Sequence, residues 1–193
     1  PEQLLRFFVA RDIKKLKFAR VRTIGHCVGR SSLVISPAQY TDFMIAIFDL
    51  WLELDDPEIE IRDIQSVVSL VLGGNNRECI YLGQCDQFVT VYSDGAMYSC
   101  DSFPRVEALS FGNVLDAPAV VRLNSRLGVF RGLLEKRKRH CRTCSWYFVC
   151  RGGCAKDCYE SIESIEPSQE VCENLKRFFE HVATTVRSYN FTE

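Results

Sequence analysis

The sequence predicts an α/β fold in which strand–helix units come first and a smaller α+β part, built on a β-hairpin and clustered cysteines, follows. Three observations carry that expectation. Residues 16 to 74 alternate β-branched runs with apolar residues at helical spacing. "QFVTVYSDGAMYSC", 87 to 100, sets turn residues between two β-rich runs. "CRTCSWYFVCRGGC", 141 to 154, packs four cysteines into fourteen positions.

In chain order, "LKFARVRTI" (16 to 24) has the β-branched content of a buried strand, interrupted by Lys17, Arg20 and Arg22. A helix follows over 36 to 54, with Ser36 as N-cap, Pro37 at the first helical position, and Phe43, Ile47 and Leu50 on one face. "IEIRD" (59 to 63) is a short strand, and "IQSVVSLVLGG" (64 to 74) is a helix that stops at Gly73-Gly74. Strand, helix, strand, helix is a piece of an α/β sheet or barrel, with too few units to close one. The texture changes near Cys79. Ser93-Asp94-Gly95 is strong turn chemistry, so 87 to 100 reads as a hairpin. Residues 117 to 138 read as a helix, the cysteine-rich stretch and a loop come next, and a last helix spans about 168 to 188, with Cys172 in its first turn.

Composition excludes several classes. The 193 residues are 47% apolar and 25% charged, ordinary for a soluble chain with a real core. Lys and Arg total 24 against 25 Asp and Glu, so the net charge of -1 draws the chain to neither nucleic acid nor an anionic membrane. "FMIAIFDLWL" (43 to 52) falls short of the roughly 20 apolar residues of a membrane span, and no signal-peptide pattern opens the chain. A cytoplasmic protein is expected. The chain begins at Pro1, and "PEQLLRFF" reads like the middle of something longer, so a fragment is expected. The basic run "EKRKRH" (135 to 140) falls at a predicted helix C-terminus, where cations complement the macrodipole, and is read as a solvated helix end. His26, His140 and His181 have no partner at ligand spacing and are read as structural.

Ten cysteines stand at 27, 79, 85, 100, 141, 144, 150, 154, 158 and 172. They make about 5% of the chain, below the level of small secreted disulfide scaffolds, and clustered thiols in a reducing compartment are more often metal ligands. Their grammar is Cys85-x9-Gly95-x4-Cys100, then Cys141-x2-Cys144-x5-Cys150-x3-Cys154, then x17-Cys172. A Cys-x2-Cys turn converges two thiolates on one centre, and glycines such as Gly152 and Gly153 let backbone approach sulfur. Eight clustered cysteines make two four-thiolate sets, each suited to a tetrahedral zinc or an iron–sulfur cluster. Zinc ribbons use two Cys-x2-Cys pairs and this chain has one, which tilts the choice toward clusters.

This seven-cysteine pattern resembles the SPASM domain of radical S-adenosylmethionine enzymes that modify peptides and proteins. "YSDGAMYSCDSF" (92 to 103), "FGNV" (111 to 114), "CRGGCAKD" (150 to 157) and "CENLKRFFEH" (172 to 181) look like blocks of anaerobic sulfatase maturases and related peptide maturases. Residues 16 to 74 resemble the last strand–helix units of the partial (β/α) barrel of those enzymes. The resemblance implies two domains, a barrel remnant at 1–76 and a SPASM domain with a closing helix at 77–193. It also implies two auxiliary 4Fe-4S clusters. Cys79, Cys85, Cys100 and Cys154 would ligate the first, and Cys141, Cys144, Cys150 and Cys172 the second. Cys79 lies outside the seven-cysteine pattern; without it the first cluster would keep an open site. Asp101 matches the aspartate that acts as proton-accepting base in sulfatase maturases, against the alternative of a turn-capping carboxylate. Cys158 stands where relatives often carry arginine and is read as a thiol outside both sets, and Cys27 as a small buried hydrophobe.

One departure bounds the resemblance. The Cys-x3-Cys-x2-Cys run that holds the S-adenosylmethionine cluster is absent, since Cys150-x3-Cys154-x3-Cys158 misses it by one residue. S-adenosylmethionine and a third cluster are therefore expected in a missing N-terminal part. The implied function is the auxiliary-cluster half of a maturase, which binds a peptide or protein substrate and relays an electron to a partner such as ferredoxin or flavodoxin. The substrate would be a sulfatase Ser or Cys turned into formylglycine, or a ribosomal peptide cross-linked at a side chain. "IEIRDIQSVVSLVLGG" (59 to 74) resembles the cross-linking maturases somewhat more. A stand-alone two-cluster electron carrier and a zinc-stabilised interaction module are the alternatives.

Overall fold

The structure, a computed structural model, describes residues 1–23, 27–76, 78–103, 105–159 and 168–189, at 158 and 159 for the backbone alone. His26, and the last residue of the expected strand 16 to 24, lie outside the described residues, as does the side chain of Cys158. In chain order the elements are α1 (Glu2–Val9), β1 (Lys15–Leu16), α2 (Pro37–Leu54), β2 (Glu60–Ile61), α3 (Arg62–Val71), β3 (Thr90–Val91), β4 (Ala96–Tyr98), β5 (Gly112–Asn113), α4 (Ala119–Cys141), α5 (Tyr147–Cys150), α6 (Ala155–Tyr159) and α7 (Gln169–Ser188). The fold is α/β, mostly helical with small sheets. It divides into two units, Pro1–Glu78 with Ser168–Glu193, and Cys79–Pro167.

In the first unit, α2 starts where the sequence signals it. The Ser36 hydroxyl accepts from the Gln39 N–H at 3.1 Å, and the Gln39 side chain accepts from the Ser36 N–H at 2.9 Å, a reciprocal cap completed by Pro37 in the first turn. β1 and β2 pair in parallel on either side of α2, with Leu16 opposite Ile61, so the β-α-β order read from the sequence is present. The expected strand 16 to 24 is far shorter, ending at Leu16. Side chains take the backbone groups that a longer ladder would use: the Phe18 N–H donates to Asp63 Oδ2 at 3.3 Å, and the Phe18 carbonyl accepts from the Tyr40 hydroxyl at 2.7 Å. The helix expected over 64 to 74 begins two residues earlier and ends at Val71, followed by Gly73 at φ +79°.

α7 packs along α2 and α3. Ile47, Phe48, Ile64, Val67, Phe179 and Val182 interdigitate there, each fully or almost fully buried. The edges are polar: the His181 ring meets Asp49 Oδ1 at 2.6 Å and stands edge-on to Phe48 at 5.7 Å. His181 is thus structural, as read. The closing helix, grouped by the sequence reading with the cysteine-rich part, joins the first unit by packing.

In the second unit the hairpin forms as expected. β3 and β4 are antiparallel, Val91 opposite Met97, with Gly95 at φ +83° closing the turn. β5 adds a third strand that the sequence reading did not contain. α4 covers this sheet with Phe130 and Leu134, and Phe130 stands edge-on to Phe111 at 5.6 Å and to Phe103 at 6.0 Å. Half-buried Cys85 and Cys100 pack against this core.

Candidate metal centre

Each expected ligand can be placed. Cys79 opens a 3-10 turn, Cys79–Tyr81, and is exposed; that turn packs against α5. Cys85 precedes the hairpin and Cys100 follows it, so the two strands carry both to the same end. Cys141 is the last residue of α4, Cys144 lies in the turn after it, Cys150 ends α5, and Cys154 precedes α6. The turns are tight: the Cys144 N–H donates to the Cys141 carbonyl at 2.9 Å and the Gly153 N–H to the Cys150 carbonyl at 2.7 Å. All seven belong to the second unit, whereas Cys172 sits in the first turn of α7 in the first unit. Among the described residues, no group of three or more His, Cys, Asp or Glu side chains is drawn in tightly enough to hold a metal ion.

The glycines act where the sequence located them. Arg151, Gly152 and Gly153 all have positive φ, at +51°, +90° and +64°. A Cβ at Gly152 would stand 3.9 Å from the Cys141 sulfur, so backbone runs directly beside that thiol. Gly83, φ +63°, lies so close to the Arg151 carbonyl that a Cβ there would collide with it, which clamps the segment before Cys85 onto the segment before Cys154.

Burial shapes the thiols. It pushes Cys85 up from its ordinary value; the Ala155 backbone amide and the Arg137 guanidinium oppose this, while the neighbouring Cys100 and Cys79 add to it. Cys154 is pushed up to about 12, first by burial and then by the charges of Asp157 and Cys85, with Lys156 and its backbone amide opposing. Cys141 is raised by burial and by Cys144, and lowered by Arg137. The Ser102 N–H donates to the Cys100 sulfur at 3.4 Å. Cys79, Cys85, Cys100 and Cys154 are therefore linked electrostatically in one neighbourhood, and Cys141 with Cys144 in another. Half-buried, sulfur-only donors beside backbone amides suit a soft, anionic, sulfur-bound inorganic group.

Asp101 is exposed next to Cys100. Its Oδ1 accepts from the Cys100 thiol at 3.4 Å and from the Ser102 hydroxyl at 3.1 Å, and its carbonyl accepts from the Tyr92 hydroxyl at 3.0 Å. Cys27 is half-buried rather than a core residue, contrary to the sequence reading.

Arg137 is the residue that sequence reasoning missed. The run 135 to 140 reads from sequence as cations at a helix C-terminus with no member set apart, yet Arg137 is only 6% exposed. Its Nη2 donates to the Gly152 carbonyl and, at 3.2 Å, to the Cys154 carbonyl. The signal was available: Phe130, Leu134, Arg137 and Cys141 fall at i, i+4, i+7 and i+11, one helix face whose first two members are core.

The chain's homologues are anaerobic sulfatase-maturating enzymes, in agreement with the resemblance read from the cysteine pattern. A cysteine-type enzyme of Clostridium novyi (strain NT) is 27% identical over 185 residues, covering 93% of this chain and 49% of its own. A serine-type enzyme of Bacteroides thetaiotaomicron is 25% identical over 201 residues, covering 95% and 48%. Native anSMEcpe with bound AdoMet and Cp18Cys peptide superposes with a TM-score of 0.76 at 28% identity, over 97% of this chain and 53% of that one. The chain spans about half the length of the curated relatives it matches. No family model matches it. Among the described residues no helix is long and apolar enough to cross a membrane.

Proposed function

We propose that this chain is the auxiliary-cluster (SPASM) portion of a radical S-adenosylmethionine maturase that oxidises a Cys or Ser side chain of a sulfatase to formylglycine. The observation that carries the reading is the convergence of separate segments: the hairpin carries Cys85 and Cys100 to one end, and the close approach of Gly83 to the Arg151 carbonyl sets the segment before Cys85 against the one before Cys154. The relatives, of both cysteine and serine type, favour the sulfatase branch over ribosomal-peptide cross-linking. Cys79, Cys85, Cys100 and Cys154 would hold one four-iron cluster; Cys141, Cys144, Cys150 and Cys172 would hold the other. When bound, such clusters supply a one-electron acceptor.

The chain's own residues do the rest. Asp101 Oδ1 faces the Cys100 sulfur and accepts from the Ser102 hydroxyl, and with Cys100 holding a cluster the Ser102 hydroxyl would remain its donor. The carboxylate, exposed on the solvent side of Cys100, is then available to take the proton released as the substrate side chain is oxidised. The Gly152 backbone keeps bulk away from Cys141 sulfur. A peptide substrate and an external electron partner of the ferredoxin or flavodoxin kind follow from the same reading.

The test is anaerobic reconstitution of this chain, followed by measurement of iron, sulfide and zinc. About eight irons and about eight sulfides per chain are expected, and Asp101→Asn leaves both unchanged because Asp101 is not a ligand. Zinc without sulfide overturns the reading in favour of a structural metal module.

A further inference from the structure

The interior of the second unit holds one cation whose role the ligand sets do not account for. Arg137 is 6% exposed, and although its Nη2 donates to two carbonyls, its Nε–H is buried and has no hydrogen-bond partner among the described residues. A buried, half-satisfied guanidinium is costly unless an anion compensates it. Among the described residues none does: the groups it donates to are the Gly152 and Cys154 carbonyls. Gly83, Cys85, Arg137, Lys138, Arg151 and Gly152 line a small cleft whose lining carries no carboxylate.

The position is specific. Arg137 is one helical turn before Cys141 on the same face of α4, and it holds the carbonyl of Cys154. It therefore reaches one member of each proposed ligand set, and its charge acts on Cys85 and on Cys141 alike. Four thiolates around a cluster leave a net negative charge, and each one-electron reduction adds one more. A cation fixed in a low-dielectric interior favours the more negative, reduced form.

We propose that Arg137 is a positioning residue shared by both ligand sets, whose buried guanidinium balances their negative charge and raises the reduction potential of both. The effect is larger for the set containing Cys85 and Cys154, since Arg137 donates to the Cys154 carbonyl and shares a cleft with Cys85, than for the set containing Cys141. This rests on the cluster reading above. In the redox step, a cluster gains one electron, supplied in the experiment by dithionite, and no bond of the protein is made or broken.

The experiment is an anaerobic dithionite titration of the reconstituted chain, followed by absorbance and electron paramagnetic resonance, with iron and sulfide measured on each sample. Arg137→Gln is expected to shift the one-electron equilibrium toward the oxidised form by tenfold or more, about 59 mV downward, while Arg137→Lys stays near the parent. Equal potentials in the parent and Arg137→Gln overturn the proposal. If Arg137→Gln takes up no iron, Arg137→Lys decides: parent-like iron and sulfide sustain a role for the charge. Loss of iron in the Lys variant as well overturns that role in favour of the guanidinium's hydrogen bonds alone. A parent chain that takes up neither iron nor sulfide is a failure of the cluster reading itself and is recognised before any variant is compared.

Discussion

The two units bury different things. In the first, Phe48, Phe179, Ile47 and Val182 are sealed from water between α2 and α7, and the buried carboxylates Asp63 and Glu78 are met by Lys17 and Arg62 of the same unit. In the second, the sheet and α4 enclose a smaller apolar cluster, and the interior beyond it is given to thiols and a guanidinium. Apolar burial stabilises without any partner, at roughly 25 cal/mol per Å². Buried thiols and a buried cation stabilise only when something binds them. The first unit is thus complete in its own side chains, and the second is organised around a group it must acquire.

The largest effect that would sharpen this contrast is metal removal. Stripping iron from the reconstituted chain with a chelator is expected to lower amide protection in the second unit by roughly three powers of ten, about 4 kcal/mol. Protection in α2, α3 and the part of α7 beyond the turn that carries Cys172 stays close to its starting level. Hydrogen exchange read by mass spectrometry separates the two, and equal loss in α2 would break the comparison. Next comes Phe48→Ala, which empties a fully buried site beside Trp51 and His181 and costs the first unit about 3–5 kcal/mol. Denaturant melts should register that loss while iron and sulfide content stays at the parent value; a fall in iron would show that the units are not separable.

The smallest effect concerns pH. Burial, with the charge of Glu78 adding, raises Asp63 above its ordinary value of 3.8, against Lys17 and the Phe18 N–H. A carboxyl whose folded value is raised contributes its full stability below the ordinary value and loses it as pH rises through the raised one. Asp63→Asn, which keeps an acceptor for the Phe18 N–H, is therefore expected to gain thermal stability relative to the parent from about pH 4 upward, the gap levelling off above the raised folded value. A gap that shrinks with rising pH reverses the sign and refutes the assignment.

What the sequence disclosed follows the same division. Local chemistry was legible: Ser36-Pro37 at the start of α2, Gly95 in the hairpin turn, and the Gly152-Gly153 turn beside sulfur each act through one or two neighbours. Features decided by distant partners were not. The strand after Leu16 is cut short by Asp63 and Tyr40, which lie far along the chain. β5 pairs only two residues, too few for any pattern. The burial of Arg137 depends on carbonyls of a separate turn, and a basic run conceals one inward-facing member unless the helix face is counted from Phe130. The cysteine spacing carried the family resemblance, but spacing contains no information about which thiols lie side by side.

Among the groups that face the sulfurs of Cys85, Cys100 and Cys154 are the main-chain amides of Ala155, Ser102 and Lys156. An amide is supplied by every residue type except proline. At each of these three positions an imino acid would therefore silence the amide, whatever else the side chain there does. A deep mutational scan should find proline forbidden at all three, on top of what each side chain already requires: no added bulk at fully buried Ala155, the Ser102 hydroxyl for Asp101, and the Lys156 charge near Cys154.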